Sequence, residues 1–161
     1  MKQERLKQAA FPVYTYDMEE RKVTMKIDLK MIPPTATSQE NKVALVGGRM
    51  MHYKSAGAKR TFHRLTESLR PYAPDTPMDG PIRLITIWRF PKGRSHKHNQ
   101  WRITRPDTDN LQKALKDVMT RLGFWVDDSR VCCELITKIW SDDPGIEITY
   151  ERIESDGYDA G

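Results

Sequence analysis

The sequence predicts an α+β fold in which a single mixed β-sheet packs against two main helices. Two kinds of periodicity support this prediction. Some segments alternate between apolar and polar residues, and others place apolar residues at three- and four-residue steps. In chain order they give strand, hairpin, helix, strand, helix, strand and strand. A chain of 161 residues is expected to form one domain with a core of its own. Helices layered on one sheet are the architecture that this order favours.

The two ends of the chain are set apart from the predicted domain. Residues 1–22 are polar, mixed in charge and weakly periodic, which predicts an arm or a frayed helix. Residues 154–161 are predicted to be a disordered tail, so that the domain spans residues 23–153. The first strand of the domain, 23–29, has apolar residues on one face and polar residues on the other. Pro33 and Pro34 end it, and a polar loop follows.

A hairpin and the first helix come next. The segment 42–53 has apolar runs on either side of Gly47 and Gly48, two residues that make a tight turn easy. Ser55 is placed to cap a helix that continues to about Arg70. The buried stripe of this helix is Ala58, Phe62, Leu65 and Leu69. Its exposed face is basic, for which ordinary solvation and DNA contact are equally good interpretations.

The clearest strand, 82–90, opens a stretch without acidic residues. Between Pro81 and Pro106 there is no Asp or Glu, whereas the cations are Arg83, Arg89, Lys92, Arg94, Lys97, Arg102 and Arg105. Such a basic loop is expected to contact phosphates. Trp101 could stack on an unpaired base or act as a half-buried anchor. His96 and His98 have no third ligand nearby, so phosphate contact or solvent exposure is the preferred interpretation.

The second helix is signalled by apolar residues at helical spacing, namely Leu111, Ala114, Leu115, Val118, Met119 and Leu122. Thr108 or Asp109 is expected to cap its N-terminus, and Gly123 suits the left-handed residue after its C-terminus. Lys113 lies one turn after Asp109, so its ammonium can return to the aspartates. Two further strands, 131–140 and 146–153, are joined by a polar turn through residues 142–145.

Two pairs of aspartates flank this second helix. Asp107 and Asp109 precede it, and Asp127 and Asp128 follow it. A chain that runs through a helix and turns back into a strand can bring both pairs to one end of the helix. Carboxylates that converge repel each other unless a cation lies between them, and Mg²⁺ prefers oxygen ligands. A metal site is therefore predicted, although a turn, a helix cap and a surface ion pair explain each feature taken singly.

Composition limits the classes of function. The formal net charge of +5 favours a polyanionic partner, and no apolar run is long enough to cross a bilayer. The N-terminus has no signal-peptide pattern. Cys132 and Cys133 are the only cysteines and are adjacent, so they form neither a distant disulfide nor a zinc motif. A reduced, cytoplasmic setting is the expectation.

The aspartates also lie within a longer motif. Asp-Thr-Asp-Asn-Leu-Gln-Lys at 107–113, followed by Gly-Phe-Trp-Val-Asp-Asp at 123–128, resembles the signature of the RusA-type Holliday junction resolvases. The resemblance implies metal ligands at Asp107, Asp109 and Asp128 and a catalytic lysine at Lys113, with Asp127 as a further candidate ligand. It also implies that the metal is Mg²⁺, for which Mn²⁺ substitutes. The implied partner is branched DNA, four-way junctions above all, and the implied working unit is a homodimer in a bacterial or phage-infected cell.

The predicted function is therefore hydrolysis of DNA phosphodiesters by metal-activated water. The candidate DNA-binding residues are Lys92, Arg94, Lys97, Trp101, Arg102 and Arg105. A catalytically silent protein that binds branched DNA with the same fold is the alternative. A restriction-type nuclease is disfavoured, because the acidic-x-Lys triplets at 20–22 and 28–30 precede Pro106-Asp107 instead of following it.

Overall fold

A computed structural model describes residues 13–17, 22–37 and 41–153. The strands are β1 (Val13–Asp17), β2 (Lys22–Leu29), β3 (Asn41–Val46), β4 (Arg49–Lys54), β5 (Ile82–Pro91), β6 (Val131–Ser141) and β7 (Gly145–Arg152). The helices are α1 (Ala56–Leu69) and α2 (Thr108–Arg121), and short 3-10 turns cover Arg70–Tyr72 and Asp128–Arg130. Within these residues, neither helix has the length and apolar character that crossing a membrane requires.

The main sheet has five strands in the order β1-β2-β7-β5-β6. Strands β5 and β6 are parallel, whereas the other neighbours are antiparallel. The prediction of a mixed sheet with two helices is therefore confirmed. The hairpin β3–β4 pairs only within itself among the described residues and forms a separate two-stranded sheet. Its turn has positive φ angles of 57° at Gly47 and 78° at Gly48, as the sequence predicts.

Strand β1 is a correction to the prediction. Residues 13–17 pair antiparallel with β2, with Val13 opposite Lys26 and Asp17 opposite Lys22. An arm or frayed helix is therefore wrong for this part of 1–22. The Val-Tyr-Thr-Tyr run consists of residues that favour strands, and a free sheet edge at β2 supplies the hydrogen bonds. Residues 1–12 and 18–21 and the predicted tail at 154–161 lie outside the described residues.

The core lies between one face of the main sheet and the two helices. The sheet contributes Met25, Ile27, Leu29, Ile82, Leu84, Trp88, Phe90, Ile146, Ile148 and Tyr150, and the helices contribute Leu65, Leu69, Leu111, Ala114, Leu115, Val118 and Met119. The apolar stripes predicted for both helices are thus confirmed. Phe124 and Trp125 continue the core beyond α2, and each meets Tyr150 edge to face at 5.8 and 6.0 Å.

Local signals set the ends of the helices. The Ser55 hydroxyl accepts a hydrogen bond from the Ala58 amide at 3.0 Å, which confirms the predicted cap of α1. Gly123 has a φ of 79° just after α2 and is left-handed as predicted. The cap of α2 is a correction, because Asp107 occupies the N-cap position instead of Thr108 or Asp109. The extended backbone of Asp107, with a ψ of 151°, is the conformation that a cap residue needs.

The direction of α2 follows from its place between two parallel strands. Because β5 and β6 run the same way and α2 connects them, the helix runs back in the opposite direction. Its first turn lies beside the C-terminal ends of β5 and β6, where Lys138 of β6 reaches the Pro106 carbonyl. Beyond its last turn, Trp125 bridges to Met78 ahead of β5. The two ends of α2 therefore lie at opposite ends of the sheet.

Candidate active site at the N-terminus of α2

The first turn of α2 presents two carboxylates to solvent. Asp107 at the N-cap and Asp109 in the first turn are both exposed. The Asp107 side chain makes no capping hydrogen bond, while its carbonyl accepts the first helical bond from the Leu111 amide at 3.2 Å. Exposed Lys113 follows one turn later. The fold does not use the Asp107 carboxylate as a cap, and the positive end of the helix dipole favours an anionic ligand there.

The segment before α2 is held against β6. This segment, residues 92–106, is called the basic loop below. The Trp140 backbone accepts from the Asn99 amide and donates to the Gln100 carbonyl, both at 2.8 Å, and the Arg102 amide donates to the Lys138 carbonyl at 3.1 Å. Trp101 bridges to Ile139 between these bonds. The basic loop therefore covers the C-terminal half of the outer edge of β6.

Two cations bind the last carbonyls of the basic loop. Lys138 Nζ donates to the Thr104 carbonyl at 2.9 Å and to the Pro106 carbonyl at 2.6 Å. The Arg102 guanidinium donates to the Arg105 carbonyl. Burial lowers the pKa of Lys138, nearby Arg102 lowers it further, and the negative charge of Asp107 acts in the opposite direction. Burial also lowers the pKa of Arg102. Three consecutive carbonyls are thus fixed just before Asp107.

The other end of α2 carries the second pair of aspartates. Asp127 Oδ1 accepts from the Ser129 amide at 2.9 Å and caps the short 3-10 turn that Asp128 begins. Hydrogen bonding to Ser129 lowers the pKa of Asp127. Asp127 therefore has the turn role that was the alternative interpretation of this pair. Asp128 is half-buried.

The structure does not bring the two pairs together. A 14-residue helix spans roughly 21 Å, and the path along β6 from Val131 to Lys138 gives a similar length. Within residues 13–17, 22–37 and 41–153, no three Asp, Glu, His or Cys side chains lie close enough to hold one metal ion. Convergence of Asp107 and Asp109 with Asp128 in one chain is therefore wrong. The two pairs are separated because β5 and β6 are parallel, so the helix that connects them has to run the length of the sheet.

The predicted DNA-binding residues fall into two groups. Lys92, Arg94, Lys97, Trp101 and Arg105 are exposed, and Trp101 keeps 68% of its surface accessible. Lys92 also forms an ion pair with Asp142 at 3.0 Å. Arg102 differs, because its guanidinium lies 4.0 Å from the ring centre of Phe90 and 4.4 Å from that of Trp140. Packing is thus the role that this geometry gives Arg102, and a phosphate contact from it stays a prediction.

The remaining charged residues of the acid-free stretch serve the fold. Arg83 pairs with Glu151 at 3.0 Å, and Arg89 pairs with Asp28 at 2.6 Å on the outer face of the sheet. Gly145 makes room for Arg89, since a Cβ at 145 would lie 2.4 Å from its guanidinium. Both histidines also have partners within the fold; His98 is exposed as expected, whereas His96 is half-buried, which corrects the expectation for that residue. His96 stacks on Trp140 with ring centres 4.2 Å apart, and His98 Nδ1 accepts from the Asp142 amide at 3.1 Å.

Sequence reasoning missed Lys138. The residue lies on the helix-facing side of β6, in step with Ile136 and Trp140. A lysine in register with the apolar residues of a half-buried strand was the available signal. Its carbonyl partners at 104 and 106 are more than thirty residues away in sequence, so no spacing pattern reveals them.

One family model and several relatives match this chain. The family model described as Endodeoxyribonuclease RusA matches residues 15–151. The "Crossover junction endodeoxyribonuclease rusA" of Lactococcus phage r1t is 27% identical over 134 residues, which cover 82% of this chain and 99% of that protein. The RusA crossover junction endodeoxyribonuclease of Escherichia coli K12 is 49% identical over 35 residues, covering 22% of this chain and 29% of that protein.

A third relative has no assigned activity. The uncharacterized protein YqaN of Bacillus subtilis is 26% identical over 95 residues, which cover 52% of this chain and 66% of that protein. The family match starts inside β1 and ends inside β7, so it takes in all of α2 and both pairs of aspartates. The resemblance in the motif at 107–128 is therefore part of a similarity along the whole described fold, and the chain belongs to the RusA endodeoxyribonuclease family.

Proposed function

We propose that the protein is a metal-dependent endodeoxyribonuclease that resolves Holliday junctions or other branched DNA by paired hydrolysis of phosphodiesters. One observation carries the proposal. The exposed carboxylates of Asp107 and Asp109 stand at the N-terminus of α2, directly after an exposed basic loop. Family membership and the name of the phage relative support the substrate class. Free, exposed Cys132 and Cys133 agree with a cytoplasmic location.

The donor set fits a hard divalent cation. Asp107 and Asp109 offer carboxylate oxygens that Mg²⁺ prefers, and Asp107 is not consumed by capping. Mn²⁺ takes the same ligands and is expected to substitute. A bound cation would supply an activated water and stabilise charge on the attacking and leaving oxygens. The chain itself supplies the orientation of the carboxylates on the rigid first turn of a helix.

Lys113 is proposed to neutralise the charge that develops on the phosphate or the leaving group. Its exposed side chain lies one turn after Asp109 on the same helix, so it reaches the substrate side of the aspartates. A fixed cation that acts on charge formed only in the transition state lowers the barrier of the chemical step. Exposed Arg94, Lys97 and Arg105 are proposed to hold the flanking phosphates, and exposed Trp101 to stack on an unpaired base.

The distance between the ends of α2 decides where Asp128 acts. A site that uses Asp128 together with Asp107 and Asp109 takes Asp128 from a second copy of the chain, because α2 separates them by its full length. We therefore propose a twofold homodimer with two shared sites. A four-way junction has approximate twofold symmetry and needs cuts in two strands, and a dimer with two equivalent sites matches both requirements.

The outer edge of β6 is the surface that supports this dimer. Strand β6 is at the edge of the main sheet, and the basic loop covers only its C-terminal half. Residues 132–135 are exposed, and Leu135 keeps 59% of its surface accessible. An edge strand of this kind readily pairs with another chain. Two copies joined antiparallel there would set their α2 helices side by side in opposite directions. Each Asp128 then faces the Asp107 end of the other copy.

Mixing of inactive variants tests the shared site. Asp109→Asn and Asp128→Asn are each expected to slow cleavage of a four-way junction in Mg²⁺ by on the order of a thousandfold. After subunit exchange, a heterodimer combines Asp128 of one chain with Asp109 of the other and regains one complete site. The mixture is therefore expected to nick junctions.

The matched control mixes Asp109→Asn with Lys113→Ala. Both changes affect the same end of α2, so no combination of these chains restores a site. Nicking by neither mixture would show that Asp128 acts within its own chain or not at all. Wild-type protein that binds junctions but cuts none in Mg²⁺ or Mn²⁺ would instead favour the catalytically silent DNA-binding protein.

A further inference from the structure

The anchoring of the basic loop singles out Lys138, to which neither the motif nor the comparisons give a role. This half-buried side chain leaves β6 on the face that carries α2 and ends among backbone carbonyls. Its Nζ donates to the Thr104 carbonyl at 2.9 Å and to the Pro106 carbonyl at 2.6 Å. Arg102 binds the carbonyl between them. Two cations thus meet three successive carbonyls immediately before Asp107.

This arrangement has an energetic cost, and that cost is an argument that the exact position of the backbone matters. A half-buried ammonium loses hydration, and two neighbouring cations repel each other. A neutral amide could tie a loop to a strand without either cost. Carbonyl oxygens bound to a cation are held more tightly than by neutral donors, because charge-assisted hydrogen bonds are roughly twice as strong. The position of residues 104–106 sets the direction in which the chain enters α2, and with it the direction of the Asp107 side chain.

We propose that Lys138 is a positioning residue for the reaction: it holds the backbone of residues 104–106 so that the Asp107 carboxylate points to the metal and the scissile phosphate. The proposal rests on the proposed function. Lys138 acts here through the Thr104 and Pro106 carbonyls and does not itself touch substrate. Because both hydrogen bonds come from one ammonium, its removal takes away the Thr104 and Pro106 anchors together and leaves the Arg102 bond to the Arg105 carbonyl.

The test replaces Lys138 by Met, which keeps the apolar stem and removes the donors. Lys116→Met is the matched control. Lys116 on α2 forms an ion pair with Glu134, which lies on β6 as Lys138 does, and among the described residues it has no hydrogen bond to the basic loop. Three quantities are compared: the Mg²⁺ concentration at half-maximal cleavage, Mn²⁺ binding followed by the loss of the free-ion EPR signal, and junction affinity in EDTA. Lys138→Met is expected to raise the Mg²⁺ concentration at half-maximal cleavage and to lower the Mn²⁺ affinity, each about 10- to 100-fold. This is the usual effect of losing a group that orients a metal ligand.

The remaining readouts separate positioning from other roles. Junction affinity in EDTA is expected to stay within about twofold of wild type, because the Lys138 ammonium is already bound to the basic loop. Lys138→Arg, which keeps charge and donors, is expected to recover part of the metal affinity. Metal readouts of Lys138→Met that equal those of Lys116→Met would overturn the proposal. A loss of junction affinity in EDTA as large as the loss of cleavage would overturn it too, by making Lys138 a DNA contact.

Folding and function are controlled separately. If Lys138→Met does not fold, Lys138→Gln keeps one neutral donor, and unchanged metal readouts for that variant overturn the proposal equally. If the wild type cuts no branched DNA, the proposed function fails. Mn²⁺ binding by wild type and Lys138→Met still decides whether Lys138 orders the aspartate site.

Discussion

The two ends of α2 carry the same residue type and use it differently. At the N-terminus, Asp107 occupies the cap position without capping and stays exposed, while cations hold the loop before it. At the other end Asp127 caps a 3-10 turn, next to a fully buried Trp125. A carboxylate that the fold does not use is available for a ligand. The comparison shows that the surrounding backbone bonds, more than the Asp-Asp pattern, distinguish a candidate site from a turn.

The largest effect is expected at the exposed end. Asp109→Asn removes a metal ligand and is expected to slow cleavage by on the order of a thousandfold, because a bound metal supplies several kcal/mol and each 1.4 kcal/mol is tenfold. Junction binding should remain close to wild type. Single-turnover cleavage and gel-shift titrations measure the two quantities. Asp117→Asn, at a half-buried position later in the same helix, is the control. Near wild-type cleavage by Asp109→Asn would remove this end from the chemistry.

The next largest effect on cleavage is expected for Lys113→Ala. Removal of one group that stabilises transition-state charge typically costs about 100- to 1,000-fold in kcat. Lys113 is exposed and lies off the apolar face of α2, so the melting temperature should hardly change. Lys116→Ala provides a comparison with the same loss of charge one turn further along. A variant at 113 that fails chiefly by unfolding would give the residue a structural role.

The basic loop is expected to show an intermediate effect on binding. Neutral replacements at Arg94, Lys97 and Arg105 together should weaken junction binding and lower the slope of log affinity against log salt by roughly 0.9 for each phosphate that the protein no longer neutralises. Arg102→Met should instead lower the melting temperature, because its guanidinium packs on Phe90 and Trp140. Binding titrations between low and moderate salt test the first set. An unchanged slope would exclude the basic loop as the DNA surface.

The smallest effect is expected at Asp127. Asp127→Ala should leave cleavage nearly intact and lower the melting temperature slightly, whereas Asp128→Asn should slow cleavage as strongly as Asp109→Asn. Since hydrogen bonding lowers the pKa of Asp127 in the folded state, its stabilisation is present above the usual value of 3.8 and is lost as the pH falls through the lowered pKa. The difference in melting temperature between wild type and Asp127→Ala should therefore shrink in acid. A large loss of cleavage in Asp127→Ala would identify Asp127 as a ligand.

Periodicity and turn residues were enough to predict most of the fold. The stripes of α1 and α2, the Ser55 cap and the left-handed Gly123 are local features, and the structure has all of them. Strand β1 escaped prediction because its pairing with β2 depends on a free sheet edge and not on a period within 1–22. The sequence-based prediction also set no pairing direction for β5 and β6, and the parallel choice is what separates Asp107 from Asp128.

The candidate site was predicted by residue type but not by arrangement. The motif at 107–113 named two carboxylates and a lysine that the structure places, exposed, on the first two turns of α2. It gave no sign that Arg102 packs on aromatic rings or that Lys138 binds the loop, because both depend on contacts between distant segments. Hydrogen bonds to backbone carbonyls leave no residue-type pattern at the accepting positions. Such contacts become visible only when the chain is folded.

The separate hairpin β3–β4 has a consequence for the timescale of local opening. A two-stranded sheet by itself is marginally stable in water, and Leu45 and Met50 keep 74% and 68% of their surface accessible near its turn. Strand β5, in contrast, is hydrogen-bonded on both sides, to β6 and to β7. Amide hydrogens of the hairpin should thus exchange with solvent through local unfolding. Those of β5 should exchange only when the whole domain unfolds. Hydrogen exchange is therefore expected to separate a slowly exchanging centre from a hairpin that opens many times before the whole molecule unfolds.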